Sequence, residues 1–249
     1  MTTNNQDGAA IVVGASRGLG RGIATALAQA GAPVIAVART ETALADLAGG
    51  AGKITPEVAD ATDASVASSL INRYDPRALV LVAGASPVMR PLQAQTWETF
   101  SANWHTDVRM AFHWVREALL KPLRPGSRVI VMSSGAALQG SPLTGGYAGA
   151  KATQRFISAY AQEEANLAGL AVTFTSILPR ITPLTDLGRP AVQAYAARSG
   201  QTEEEYMAQM GPPVTPEAAG AAVVELVRAD AASVAPAYLL TGAGLKQLS

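Results

Sequence analysis

Val12-Val13-Gly14-Ala15-Ser16-Arg17-Gly18-Leu19-Gly20-Arg21-Gly22 is the stretch on which the reading of the chain turns. An apolar run, Ala9 to Val13, leads into it, and a helix-like run, Leu19 to Ala30, leads out. Strand, glycine turn and helix in that order cradle a pyrophosphate. Gly14 lets the chain turn sharply out of the strand, Gly18 lets backbone approach the phosphates, and Gly20 lets the helix pack close to the sheet. The helix N-terminus then offers unpaired N–H groups and a partial positive charge to the anion. A glycine pattern alone also fits any glycine-tolerant turn between strand and helix, so the rest of the chain has to agree with it.

Composition narrows the classes. The chain has 249 residues, enough for one large α/β domain with a sizeable core. With no cysteine, disulfides and thiolate metal sites are both excluded. Nineteen basic residues balance nineteen acidic ones without a run of like charge, so neither nucleic acid nor an acidic membrane surface is expected as a partner. Residues 1–8 are polar and lack an apolar core, and read as a flexible N-terminal tail. No apolar stretch reaches the roughly 18 residues of a membrane span, which leads to the expectation of a cytoplasmic protein.

Outward from the glycine stretch, apolar runs recur at Ala10–Val13, Val34–Val37, Leu79–Val82, Arg128–Met132, Val172–Leu178 and Ala237–Leu240, with Ile54–Ala59 as a further candidate. Near-continuous apolar runs suit parallel strands buried on both faces. Helical patterns lie between them at Leu19–Ala30, Glu41–Ala48, Ala64–Arg73, Thr96–Leu120, Tyr147–Ala168 and Pro216–Ala229. This alternation predicts an α/β fold: a doubly wound parallel sheet of about seven strands with helices on both faces, in a single domain over 9–249. Residues 180–213 interrupt it. Five prolines, counting both ends, stand from Pro179 to Pro213, around a helix-like part from Ala191 to Met210, and the segment reads as a lid over the ligand-binding rim.

Several residues carry chemistry. The second strand ends at Ala38-Arg39, where a dinucleotide fold reads the adenosine ribose. Arg39, with Arg17 from the glycine loop, suits the 2′-phosphate of NADP, which NAD lacks. Asp60, after the third strand, is placed to accept from an adenine amino group or to cap the following helix. The fifth strand runs into Ser133-Ser134. Thirteen residues on stands Tyr147, and four further Lys151. Residues i and i+4 share a helix face, so the ammonium lies beside the phenol and favours phenolate. Ser134, at the strand tip, is positioned to hydrogen-bond a substrate oxygen.

With Gly14-x-x-x-Gly18-x-Gly20, Ser134 and Tyr147-x-x-x-Lys151 at these spacings, the chain resembles the short-chain dehydrogenase/reductase family over Ala9 to Gly244. The resemblance implies a Rossmann-type fold and a nicotinamide cofactor. It makes Tyr147 the acid/base, Lys151 the group that binds the nicotinamide ribose and assists Tyr147, and Ser134 the group that orients the carbonyl. Gly14, Ser16, Arg17, Gly18, Leu19, Gly20, Arg39, Asp60, Ala83, Gly84, Tyr147, Lys151, Pro179 and Ile181 become the cofactor-binding set. A homodimer or homotetramer is implied as well.

The chain also departs from the family pattern. Val13 stands where Thr or Ser is usual. The family's Asn-Asn-Ala-Gly reads Leu81-Val82-Ala83-Gly84, so apolar packing has to replace the amides. Its catalytic Asn aligns with Asp107, in a register taken from Arg116-Glu117-Ala118-Leu119. In the family that Asn's main-chain carbonyl holds a water that reaches the lysine. Asp107 is expected to supply the same carbonyl and to set a carboxylate at ~9 Å from Lys151, worth on the order of 2 kcal/mol. His105 and His113 read as packing residues, and no metal site is expected. Pro87, Val88, Met89, Arg90, Leu138, Gln139, Leu143 and Arg180 are pocket candidates. The expected function is NADP(H)-dependent interconversion of a carbonyl and an alcohol. The alternative is a non-catalytic NADP-binding regulator of the same fold.

Overall fold

A computed structural model describes residues 8–50 and 52–248. The tail expected over 1–8, apart from Gly8, lies outside the described residues. The strands are β1 (Ala10–Val13), β2 (Val34–Ala38), β3 (Ile54–Val58), β4 (Ala78–Leu81), β5 (Arg128–Met132), β6 (Thr173–Pro179), β7 (Ala237–Thr241) and β8 (Gly244–Leu248). The helices are α1 (Gly18–Gln29), α2 (Glu41–Gly50), α3 (Ala64–Tyr74), α4 (Trp97–Asn103), α5 (Arg109–Leu120), α6 (Ala136–Gln139), α7 (Tyr147–Leu167), α8 (Gly188–Arg198), α9 (Glu203–Ala208) and α10 (Pro216–Arg228).

All strands form one sheet in the order β3-β2-β1-β4-β5-β6-β7-β8. Pairing is parallel from β3 through β7, and β8 returns antiparallel on β7. Successive residues of a strand face opposite sides, so each strand serves two cores. Ala10 and Val12 join Ile23, Leu27, Leu44, Val223 and Leu226 under α1, α2 and α10. Ile11 and Val13 join Leu70, Met110, Trp114, Ala161 and Phe174 under α3, α5 and α7. The strand order reverses between β1 and β4. The chain leaves β1 and β4 toward opposite faces of the sheet, which opens a crevice at that rim, the usual ligand position in such sheets.

Three expectations need correction. The sheet has eight strands, not about seven. Gly244–Leu248 is short and half exposed, and as an edge strand with one neighbour it needs no continuous apolar run. The helix expected over Thr96–Leu120 is split by a π turn, Trp104–Val108, between α4 and α5. Apolar periodicity is blind to such a turn, because both flanking helices keep an apolar face. The helix-like part of the 180–213 segment is two helices, α8 and α9, and the second is started by a capping box between Thr202 and Glu205.

α1 and α10 meet backbone to backbone. A Cβ built on Gly22 would lie 2.2 Å from the carbonyl oxygen of Pro216, and one on Gly220 2.6 Å from the Ala26 Cβ. Overpacking such a contact costs about 1–3 kcal/mol. Gly22→Ala should lower the unfolding free energy by that amount, read as a lower urea midpoint at unchanged m-value.

Candidate active site

The glycine stretch forms the expected turn. Gly14 (φ +93°) and Gly18 (φ +53°) occupy the left-handed region open to glycine. Gly14 and Ala15 donate their N–H groups to the Val37 carbonyl, and Val82 and Ala83 donate to that of Val13. The loop is thereby tied to both neighbouring strands. A Cβ on Gly20 would lie 2.0 Å from the Gly14 carbonyl oxygen, so this glycine seats the first turn of α1 directly on the loop. Arg17 precedes that turn and its side chain makes no cap, so the first N–H groups of α1 face the crevice. Val82 packs against the core beneath α1 and Leu81 is buried in the other. Apolar packing thus stands where the family carries amides.

A cleft of about 1430 Å³ runs along the C-terminal ends of the strands. It collects every residue of the expected catalytic and cofactor-binding sets. Gly14, Ser16, Arg17, Gly18, Leu19, Gly20, Arg39, Asp60, Ala83 and Gly84 line one part, and Asp107, Ser134, Tyr147, Lys151, Pro179 and Ile181 another. Asp60 is engaged by the N–H and hydroxyl of Thr62, which hold its carboxyl below the usual value, while Asp63 caps α3. Among the pocket candidates, Pro87, Leu138, Gln139 and Arg180 line the cleft. The stretch with Arg90 instead braces the loop: Arg90 donates to the Leu143 carbonyl and bridges to Thr144. Leu143 is buried there. His105 lines the cleft from the π turn. No group of three metal-ligating side chains occurs among the described residues.

Ser134 follows the tip of β5, and its Oγ accepts from the N–H of Ala136 at 3.2 Å, which leaves its own O–H to donate into the cleft. Tyr147 opens α7, set close against α4 because Gly146 allows it: a Cβ there would lie 2.3 Å from the Phe100 carbonyl oxygen. One turn on, Lys151 is 4% exposed, its Nζ 5.6 Å from the Tyr147 ring centroid. Ser133 pins this turn to β5 by donating its hydroxyl to the Lys151 carbonyl at 2.7 Å.

The expected 9 Å between Lys151 and Asp107 is wrong. The Asp107 carboxylate reaches the ammonium directly, Oδ2 to Nζ at 3.1 Å, and both side chains are buried. Asp107 Oδ1 accepts from the N–H of Ala85 at 2.8 Å and from the Asn103 amide at 3.2 Å. Lys151 also donates to the Met132 carbonyl at 3.2 Å and to Gln154 Oε1 at 2.9 Å. The Gln154 amide in turn donates to the Asp107 main-chain carbonyl at 2.9 Å. Sequence reasoning missed Gln154 and Asn103. The available signal was spacing: Gln154 lies three residues after Lys151, Asn103 four before Asp107, and such pairs share a helix face. Burial, the largest influence on Lys151, pulls its ionisation down. The Asp107 carboxylate and Tyr147 more than offset it, so the net shift from the ordinary value of 10.5 is upward.

A glycine turn at an uncapped helix N-terminus and a Ser, Tyr and Lys group thus share one strand-end cleft of a Rossmann-type fold. The family model for short chain dehydrogenases matches residues 8–196, and the chain belongs to that family. It is 35% identical over 138 residues to the short chain dehydrogenase mpl6 of Monascus purpureus, covering 49% of this chain and 47% of that one. It is 31% identical over 127 residues to carbonyl reductase [NADPH] 2 of Sus scrofa, covering 50% and 52%. The chain thus spans about half the length of these curated relatives. A Beutenbergia cavernae protein provisionally described as an NAD(P)-dependent gluconate 5-dehydrogenase, solved with NADP bound, superposes with a TM-score of 0.75 at 26% identity, over 89% of this chain and 90% of that one.

The Lys151–Asp107 pair has a stability signature. A group raised on folding contributes stability that is whole below its unfolded value, 10.5 here, and is lost as pH climbs through the folded value. Asp107→Asn removes the counter-charge and leaves burial, which sets the folded value below the unfolded one. The sign then reverses, and stability rises as pH approaches that of the unfolded lysine. Stranding a buried charge costs about 3 kcal/mol. The variant should therefore melt well below the unmutated protein at pH 7, with the gap narrowing toward pH 10, as followed by calorimetry across that range.

Proposed function

We propose that the protein is an NADP(H)-dependent oxidoreductase that interconverts a ketone or aldehyde and the corresponding alcohol, with Tyr147 as acid/base. The observation that carries this reading is the placement of Ser134, Tyr147 and Lys151 in the same cleft as the glycine loop, Arg17 and Arg39. The cleft fits a dinucleotide. A Cβ at Gly18 would meet only Thr185, at 3.5 Å and beyond, so the loop stands open above the uncapped first turn of α1. The NADP of the Beutenbergia cavernae structure and the NADPH in the name of the pig reductase support the cofactor.

A nicotinamide bound along the cleft supplies or accepts the hydride. This chain's residues do the rest. Ser134 donates its O–H to the carbonyl oxygen. Tyr147 gives its proton to that oxygen in reduction and takes it back in oxidation. Lys151 anchors the ribose by its charge. Arg39 and Arg17 face the 2′-phosphate. Arg17 now holds Asp186 at 3.2 Å, an exposed pair of small energy that a dianion readily displaces. Asp186 belongs to the segment before α8, so this reading keeps residues 180–213 as the lid over substrate. It also includes self-association through the exposed aromatic face of α5 and α7, with Phe112, Phe156 and Tyr160, and action in the cytoplasm. No helix among the described residues is long and apolar enough to cross a membrane.

A second reading, a non-catalytic NADP-binding regulator, is favoured by one observation: the Lys151 ammonium is already engaged within the protein by two hydrogen bonds and an ion pair. Turnover of NADPH over a panel of ketones separates the two.

Two outcomes are expected from the first reading. NADPH should bind roughly ten- to hundred-fold tighter than NADH, since each charged hydrogen bond is worth about 1.5–3 kcal/mol, and Arg39→Asp should reverse the order in fluorescence titrations. Tyr147→Phe should abolish turnover while leaving the NADPH dissociation constant nearly unchanged, because the phenol acts in proton transfer and Lys151 still holds the ribose.

A further inference from the structure

Gln154 is fully buried on α7, and both ends of its amide are engaged. Its orientation follows from chemistry: an ammonium can only donate and a main-chain carbonyl can only accept, so Oε1 faces Lys151 and Nε2 faces Asp107. The amide thus fills the gap between ammonium and carbonyl where, by family resemblance, a water would stand. Water both donates and accepts at one atom and passes protons along. A primary amide accepts at oxygen and donates at nitrogen, and passes none without changing tautomer.

Two further sides of the ammonium are closed away from the cleft. β5 brings the Met132 carbonyl, and the π turn brings the Asp107 carboxylate. The loop after β4 packs Gly84 on that carboxylate: a Cβ there would lie 2.7 Å from Oδ2. The titratable groups acting on Lys151 are Asp107 from the π turn and Tyr147 from its own helix.

We propose that Gln154 is a positioning residue that seals the inner side of Lys151 from bulk water, so that the lysine stays a fixed, internally compensated charge through turnover. The proposal rests on the oxidoreductase reading of the same cleft. In carbonyl reduction the proton lost from the Tyr147 O–H to the substrate oxygen is then replaced by solvent through the open side of the cleft. Lys151 keeps its hydrogen bonds to Met132 and Gln154 and its ion pair with Asp107 throughout, and one solvent proton is consumed per carbonyl reduced.

The test uses the lysine ammonium signals of ¹⁵N-labelled protein without cofactor. The chain has four lysines, and Lys53, Lys121 and Lys246 are exposed. One slowly exchanging ammonium is expected in the unmutated protein, assigned by its loss in Lys151→Arg. Gln154→Ala, which admits water, should speed its hydrogen exchange by about tenfold or more. Gln154→Met, which keeps the volume and removes the amide, should also speed it and covers the case in which the alanine variant fails to fold. An unmutated Lys151 ammonium that exchanges as fast as the exposed ones, or exchange that neither variant changes, overturns the proposal. In steady-state reduction Gln154→Ala should raise KM for NADPH about tenfold and lower kcat by a smaller factor. A collapse of kcat at unchanged KM would put Gln154 on the proton path and refute the seal. Lack of turnover with any carbonyl in the unmutated protein would refute the oxidoreductase reading instead, and leaves the exchange result interpretable.

Discussion

A buried ammonium constrains this molecule more than any other group. Lys151 is taken out of water at the centre of the cleft, where an uncompensated charge costs several kcal/mol. Three separate elements answer it: β5 with a carbonyl, the π turn with a carboxylate, and α7 with its own glutamine. The carboxylate needs support in turn and finds it in the Ala85 N–H and the Asn103 amide. Asn103 donates again to the Ala85 carbonyl at 2.7 Å, so the loop after β4 is held by the same network. The loop, the split helix and α7 therefore cannot shift independently of one another.

The sheet supplies the frame for that network. Its order reverses between β1 and β4, and the anion cradle forms there. β5 lies one strand further along and carries Ser134 at its end, with α7 packed beside it. The glycine loop and the Ser134, Tyr147 and Lys151 side chains thus line one cleft because of strand order. The glycine loop is held by main-chain bonds to neighbouring strands, and the Lys151 turn is pinned to β5 by the Ser133 hydroxyl.

Much of this was legible in the sequence, for identifiable reasons. Strands buried on both faces leave apolar runs, and β1, β2, β4, β5, β6 and β7 all did. The glycine loop and the Tyr147–Lys151 pair are local patterns with fixed spacing. Contacts between elements were not legible. The aligned register brought out Asp107, but only the packing of the π turn against α7 shows that it touches Lys151. Gln154 was hidden differently: a glutamine on a helix is ordinarily solvated, and nothing in its neighbours announces burial. Arg90 and Leu143 were expected among the pocket residues. They instead hold two loops together. β8 escaped because an edge strand needs little apolar character.

That last point bears on how the molecule behaves in company. An open sheet ends in two strands whose outer N–H and C=O groups are unpaired, ready templates for a neighbouring chain. At one end β3 carries Pro56, which has no N–H to give, beside Glu57. At the other, β8 is five residues long and turns Lys246 and Gln247 to solvent. Neither border invites another strand to continue the sheet. Proline, charge and shortness at the edge strands are devices by which open sheets discourage edge-to-edge growth.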